Sequence, residues 1–139
     1  MSWPSWLPLR ETLRPLSAYG APQVPAQASL NTNENPYSPS PALQKAITDA
    51  VAKVAADLNR YPDRDATVLR TKLATYINER SGTGFTLDNI WAANGSNEII
   101  QSIFLAFAQG PVLGFTPSYS MHPLIAKTTG AQWIDGKRN

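Results

Sequence analysis

Hydrophobic and polar residues alternate with a helical period in the middle of the chain. Two runs have apolar residues every three or four positions, which predicts two amphipathic helices over residues 41–58 and 66–80. Ser40 and Pro41 are the residue types that favour the N-cap and the first position of the first helix. Asp65 is the predicted cap of the second helix, which should end at "SGTG" (residues 81–84). The periodic positions are Leu43, Ile47, Ala50, Val51, Val54, Leu58, Leu69, Leu73, Tyr76 and Ile77.

The pattern changes after residue 85, where short apolar segments alternate with helical runs. "NIWAA" (89–93), "VLGF" (112–115) and "AQWI" (131–134) are predicted strands. Residues 96–109 should form a helix, and so should the run that begins at "PSYSMH" and ends on Gly130, with Pro123 in its first turn. This order predicts an α/β fold with a parallel sheet and helices on its faces. The positions expected inward on the first of these helices are Ile99, Ile100, Ile103, Phe104 and Phe107.

The N-terminal forty residues follow neither pattern. They contain most of the twelve prolines of the chain, so we expect an extended arm rather than a domain. Apolar residues such as Trp3, Trp6 and Leu13 make a free arm unfavourable in water. We therefore expect the arm to lie across a partner surface, another subunit being one possibility, and a partly disordered tail is the alternative.

Composition excludes several classes of function. The 139 residues include no cysteine and one histidine, His122, which argues against disulfide scaffolds, thiolate or histidine metal sites, a cysteine nucleophile and a Ser-His-Asp triad. The net charge of +2 comes without a basic stripe, so no nucleic-acid partner is expected. No apolar run reaches membrane-spanning length and no signal peptide is evident, which predicts a cytoplasmic protein without a membrane partner.

The junction "NGSNE" carries the first chemical signal. Gly95 permits close backbone approach, and Ser96 and Asn97 begin a helix, whose free N–H groups and dipole favour an anion. From these residues alone, a simple capped turn is the commoner interpretation. The next strand ends in "FTPSYSMH", which places Tyr119 at the equivalent edge, either as an aromatic cover for a flat cofactor or as a core residue. For His122 a helix-surface position is favoured over a ligand contact.

Four phrases in order, "LNTNENPYSPSP", "NRYPDRDATVLR", "WAANGSNEIIQ" and "TPSYSMH", resemble the histidinol-phosphate aminotransferase family. The resemblance extends from about Tyr19 onward. It implies the α/β fold type I of pyridoxal-phosphate-dependent transferases, the aspartate-aminotransferase fold type. In that fold, residues 1–40 would be an extended arm, 41–84 a helical segment of the small domain, and 85–139 the first part of the cofactor-binding large domain, with a mainly parallel sheet.

The resemblance also implies roles for individual residues. The loop of Gly95, Ser96 and Asn97 would hold the phosphate of pyridoxal 5'-phosphate, and Tyr119 would stack on its ring. Tyr61 would reach the cofactor phosphate of the neighbouring subunit, which implies a homodimer with shared active sites. Residues expected to line the substrate pocket are Tyr19, Asn33, Glu34, Asn35 and Asn94.

The implied reaction transfers an amino group between L-glutamate and imidazole-acetol phosphate, giving L-histidinol phosphate and 2-oxoglutarate in histidine biosynthesis. The Schiff-base lysine, the aspartate facing the pyridinium nitrogen and the substrate arginine of the family have no counterpart here, and Lys127 is expected to be a solvated helix charge. We therefore expect an N-terminal portion that is inactive alone. The alternatives are an aminotransferase for aromatic or other amino acids, and a non-catalytic remnant that binds a full-length homologue.

Overall fold

A computed structural model describes residues 3–20, 24–25, 27–28, 30–32 and 34–138. These described residues form four α-helices and two β-strands, in the order α1 (Pro41–Val54), α2 (Thr67–Ser81), α3 (Ser96–Phe107), β1 (Val112–Thr116), α4 (Met121–Thr129) and β2 (Trp133–Lys137). Short 3₁₀ turns lie at Glu11–Leu13, Ala55–Asp57 and Leu87–Asn89. None of the helices in the described part of the chain has both the length and the apolar character that crossing a bilayer requires.

The chain forms two compact units. One comprises residues 18–69, and the other combines the described residues up to 17 with those from 70 onward. In the first unit, Pro41 is the first residue of α1 and the Ser40 hydroxyl accepts the N–H of Leu43 at 3.2 Å, which confirms the predicted cap. The apolar face of α1 is about half exposed, with Ile47 at 51% and Val51 at 55%.

The cap of α2 differs from the prediction. Asp63, not Asp65, accepts the N–H of Thr67, at 2.8 Å, and it also accepts the N–H of Asp65, at 3.1 Å. Ala66 has a φ of +47°, so the chain turns sharply just before the helix. In that turn the carboxylate of Asp65 instead pairs with Arg64 at 3.0 Å. The two backbone hydrogen bonds lower the pKa of Asp63, because both stabilise its charged form.

The second unit is built around one parallel strand pair. Strand β1 pairs with β2 from Val112↔Trp133 to Thr116↔Lys137, and α4 connects them in the predicted βαβ order. Helix α4 packs against α3 and β2 and supplies the buried Ile125 and Ala126. As predicted, α4 ends at Gly130, whose φ of +91° is the left-handed C-terminal conformation that glycine favours.

Several sequence expectations for this unit are wrong. Residues 89–93 do not form a strand: Asn89 ends the 3₁₀ turn Leu87–Asn89, and residues 90–93 follow it as irregular backbone. A strand needs a hydrogen-bonded neighbour, and within the described residues the sheet contains β1 and β2 alone. Helix α3 stops at Phe107 rather than residue 109, and the Phe107 ring is 76% exposed instead of inward.

The described start of the arm folds back on its own chain. The turn Glu11–Leu13 contacts α4, and the Arg10 guanidinium donates a hydrogen bond to the carbonyl of Thr128. An Arg14–Glu11 ion pair at 2.8 Å braces the same turn. Residues 11–13 are therefore helical rather than extended, while contact of the arm with another subunit stays a prediction.

Candidate functional site

The loop before α3 has the geometry of an uncapped helix start. Gly95 occupies the N-cap position with a φ of +79°, a conformation that favours glycine. It has no side chain with which to accept the first N–H groups of the helix. Among the described residues other than its two chain neighbours, no atom lies within 4 Å of the position that a Cβ on Gly95 would take, so the loop is open to them on that side. The start of α3 therefore presents backbone N–H donors and the positive end of the helix dipole to an anion.

One side chain at this loop holds the backbone in place, and another has an atom that could bind a ligand. The carboxylate of Glu98 accepts the N–H of Asn94 at 2.7 Å, which fixes the loop against the first turn of α3. The Asn97 amide oxygen is buried and has no hydrogen-bond partner among the described residues. Leaving such an atom unpaired costs about 1–3 kcal/mol. Half a turn of the amide would present its NH₂ group there instead, so Asn97 can serve either an acceptor or a donor.

Arg70 supports the backbone that leads into the loop. From α2 its guanidinium donates to the carbonyl of Ile90 at 2.8 Å and to that of Leu87 at 2.8 Å. The irregular segment is thereby tied to a helix although no strand neighbour holds it among the described residues. Sequence reasoning missed this arginine, because the residues it holds are 17 and 20 positions away and no local pattern marks it.

The second predicted site segment precedes α4. Tyr119 is half exposed, at 51%, and its ring meets that of His122 edge-on, with centroids 5.6 Å apart and planes at 85°. His122 is partly exposed and also approaches the ring of Trp133, with centroids 6.5 Å apart. The helix-surface interpretation of this histidine stays a prediction. Because α3 packs against α4, the structure places the anion loop and the tyrosine segment at the start of two contacting helices.

The remaining predicted site residues are in different surroundings. Asn94 is exposed in the loop itself, and Lys127 is exposed on α4, as predicted. In the unit of residues 18–69, Tyr61 is fully exposed and Tyr19 is 53% exposed. Asn35 accepts the N–H of Tyr37 at 3.0 Å through its side-chain oxygen, and Glu34 is exposed. Asn33 lies outside the described residues.

Comparison with known proteins assigns this arrangement to a family. A family profile described as "Aminotransferase class I and II" matches residues 25–139. The chain belongs to this aminotransferase family. The α/β architecture predicted from the sequence agrees with that membership, since the second unit has the βαβ order of a partial fold of this type.

Individual relatives narrow the resemblance. The chain is 53% identical over 135 residues to a histidinol-phosphate aminotransferase of Mycobacterium sp. (strain KMS), covering 95% of this chain and 36% of that protein. It is 56% identical over 131 residues to the histidinol-phosphate aminotransferase of Corynebacterium glutamicum (strain R), covering 92% and 36%. The protein of the same name from Thermobifida fusca (strain YX) is 56% identical over 135 residues, covering 95% and 35%.

The chain spans about a third of the length of these curated relatives. The resemblance to histidinol-phosphate aminotransferases stated from four short phrases is thus confirmed along nearly the whole chain. The roles of the individual site residues stay predictions.

The described residues fit the phosphate group of pyridoxal 5'-phosphate. The open N-terminus of α3 and the glycine at positive φ suit a dianion that accepts several hydrogen bonds. The Asn97 amide can add a donor there once it is turned to present its NH₂ group in place of the unpaired oxygen. Tyr119 presents a half-exposed ring suited to cover a flat heteroaromatic group.

Proposed function

We propose that this chain forms part of a histidinol-phosphate aminotransferase that uses pyridoxal 5'-phosphate, and that the loop from Asn94 to Asn97 binds the cofactor phosphate. The observation that carries the proposal is the start of α3, where Gly95 at a φ of +79° leaves the helix uncapped. Next to it, the buried side-chain oxygen of Asn97 has no hydrogen-bond partner among the described residues. The relatives that bear this enzyme name, at 53% and 56% identity, support the choice of reaction.

The chain's own groups act by binding and orientation. The N–H groups of Ser96 and Asn97 donate to the phosphate, and the helix dipole adds attraction for its charge. The ring of Tyr119 lies against the cofactor ring and excludes water from that face. Pyridoxal 5'-phosphate, when bound, supplies the electron sink for transfer of the amino group.

The proposal also assigns the substrate-binding residues. Tyr19, Asn33, Asn35 and Asn94 are proposed to contact the substrate that carries the amino group, L-histidinol phosphate or L-glutamate. Imidazole-acetol phosphate is the ketone that corresponds to the first, and 2-oxoglutarate is the keto acid that corresponds to the second. The proposed enzyme is a homodimer with shared active sites, in which Tyr61 contacts the cofactor phosphate of the second subunit. The full exposure of Tyr61 is compatible with this contact. The division into residues 1–40, 41–84 and 85–139 belongs to this proposal, and a cytoplasmic location stays a prediction.

Substitution of the first residue of α3 tests the phosphate site. Ser96→Pro removes one N–H group but fits the first helical position, where proline is tolerated. Ser96→Ala is the matched control, because it keeps the N–H and removes only the hydroxyl. We expect Ser96→Pro to weaken binding of pyridoxal 5'-phosphate about tenfold, as for one hydrogen bond to a charged group, and to leave binding of unphosphorylated pyridoxal unchanged.

The same titrations can also contradict the proposed phosphate site. Equal affinity of the Ser96→Pro and wild-type proteins for pyridoxal 5'-phosphate would place the phosphate elsewhere. Assays of the protein from its own cells with L-histidinol phosphate and with aromatic amino acids then separate the proposed substrate from the alternative. A higher kcat/KM for an aromatic amino acid would reject histidinol phosphate as the physiological substrate.

A further inference from the structure

Three side chains in and next to the segment that carries Tyr119, together with one on β2, form a group that the proposed reaction does not use as a whole. We call it the His122 cluster: Ser118, Tyr119, His122 and Trp133. The Ser118 hydroxyl oxygen lies 3.0 Å from Nδ1 of His122. The His122 ring meets the Tyr119 ring edge-on at 5.6 Å and lies tilted by 37° against Trp133 at 6.5 Å.

The surroundings of Tyr119 bear on the orientation of its ring. The tyrosine precedes α4 in an irregular segment and is half exposed, so its backbone alone does not fix the ring. Among the described residues, His122 is the ring in contact with it. Edge-to-face contact is a preferred arrangement of two aromatic rings, and it sets the plane of one ring relative to the other.

His122 is itself held on three sides. The backbone N–H of His122 donates to the Tyr119 carbonyl at 3.1 Å, which anchors the first turn of α4. Its Nδ1 is within hydrogen-bond distance of Ser118, and the hydroxyl can act as donor or acceptor there. Trp133 stands behind it on β2, so the cluster connects the tyrosine to the sheet.

We infer that His122 is a positioning residue that, held by Ser118, orients the Tyr119 ring to stack on the cofactor. The inference rests on the proposed function, because it requires Tyr119 to cover the cofactor ring. It differs from the phosphate contact at α3, since it concerns the ring of the ligand and not its phosphate.

The test is a double-mutant cycle with pyridoxal 5'-phosphate in the protein at the length its cells make. His122→Ala should weaken cofactor binding about threefold to tenfold, as for loss of one aromatic pair. In a Tyr119→Ala background the same substitution should have no further effect, because the ring that it orients is gone. His122→Phe keeps the edge contact and should recover most of the affinity, whereas Ser118→Ala should lose about twofold.

Two controls separate positioning from general damage. Phe107→Ala removes an exposed ring at the end of α3, and Ser81→Ala removes an exposed hydroxyl at the end of α2; both should bind the cofactor like the wild type. Binding of inorganic phosphate is the second control. Its affinity should be the same in His122→Ala and wild-type proteins, since phosphate has no ring to stack.

The outcomes distinguish the two levels of the proposal. If Tyr119→Ala binds the cofactor as well as the wild type, the assignment of Tyr119 fails and the inference fails with it. If Tyr119→Ala is weakened but His122→Ala is not, or if His122→Ala weakens binding equally in the Tyr119→Ala background, only the inference is overturned.

A measurement on the wild-type protein covers the case in which the His122→Ala variant does not fold. The chain has one histidine, so its imidazole protons give one set of NMR signals. We expect nuclear Overhauser contacts from these protons to the ring protons of Tyr119. Their absence in the folded protein would overturn the inference.

Discussion

The indole ring of Trp133 on β2 lies directly over Gly114 on β1, so that a Cβ at residue 114 would overlap the ring. The strand pair thus accommodates its largest side chain by leaving the neighbouring position empty. The same relationship recurs at the other end, where a Cβ on Gly136 would come within 2.8 Å of the Phe115 ring. Trp133 also contacts the ring of His122. The packing of the strand pair is therefore linked to the segment proposed to contact the cofactor.

We therefore expect Gly114→Ala to destabilise the protein by about 1–3 kcal/mol, because the added methyl group overpacks against the indole. Urea unfolding measures the effect. Gly110→Ala is the matched control, since no described residue beyond its two chain neighbours lies within 4 Å of its Cβ position. In a Trp133→Ala background the Gly114→Ala substitution should no longer destabilise the protein; a persistent loss there would show that the indole is not its cause.

Arg70 gives a second prediction. Arg70→Ala should lower the free energy of unfolding by about 2–4 kcal/mol, because it removes charge-assisted bonds to the carbonyls of Leu87 and Ile90 and leaves both without that donor. It should also weaken cofactor binding, since the segment leads into the phosphate loop.

Arg80→Ala on the same helix is the control for Arg70. Its guanidinium lies 4.4 Å from the centroid of the exposed Tyr76 ring, a contact worth about 0.5–1 kcal/mol at such a site. Equal losses for the two variants in urea unfolding would contradict the assigned role of Arg70.

Asp63 predicts an acid-dependent loss at the start of α2. Backbone hydrogen bonds lower its pKa below the ordinary value of 3.8, so the unfolded chain binds a proton more readily than the folded one. The contribution is complete above pH 3.8 and is lost as the pH falls through the lowered value. Carbon NMR of the carboxyl group measures the midpoint directly.

The Asp63→Asn variant is the control for that titration. It should abolish this part of the acid dependence, because an amide has no proton to gain in this range. A midpoint for Asp63 at or above 3.8 in the folded protein would contradict the two hydrogen bonds as its cause.

Tyr61 tests the shared active site. In the dimer, Tyr61→Phe should weaken retention of pyridoxal 5'-phosphate by about 1–2 kcal/mol, as for one hydrogen bond to a charged group, with little change in unfolding. Tyr76→Phe removes a hydroxyl from a half-exposed tyrosine on α2 and should have no effect. Unchanged cofactor dissociation in Tyr61→Phe would exclude this tyrosine from the phosphate site.

Local signals in the sequence predicted the helices well. Ser40, Pro41 and Gly130 act through their nearest neighbours, so the cap of α1 and the end of α4 could be read from residue type and spacing. The strand expected at residues 89–93 was wrong because strand formation depends on a distant partner rather than on apolar composition. The cap of α2 was assigned two residues late, since the turn at Ala66 brings Asp63 back to the helix.

The site divides in the same way. Gly95, Ser96 and Asn97 are consecutive, and their chemistry follows from a helix start. The contacts of Arg70 and of His122 with Trp133 come from tertiary packing between separate elements, which a single sequence does not encode locally. The contact of His122 with Trp133 in particular could not be predicted, because one turn of helix reveals nothing about the strand behind it.

The half-exposed apolar face of α1 determines how that helix will behave in solution. A helix of 14 residues is marginal in water without tertiary support, so its backbone hydrogen bonds open readily while this face is uncovered. Amide hydrogen exchange across Pro41–Val54 should consequently be fast in the free chain and slow once any protein surface covers Leu43, Ile47 and Val51. The exchange rate of this helix thereby reports whether the chain has assembled with another protein surface, and mass spectrometry can follow it without a mutation.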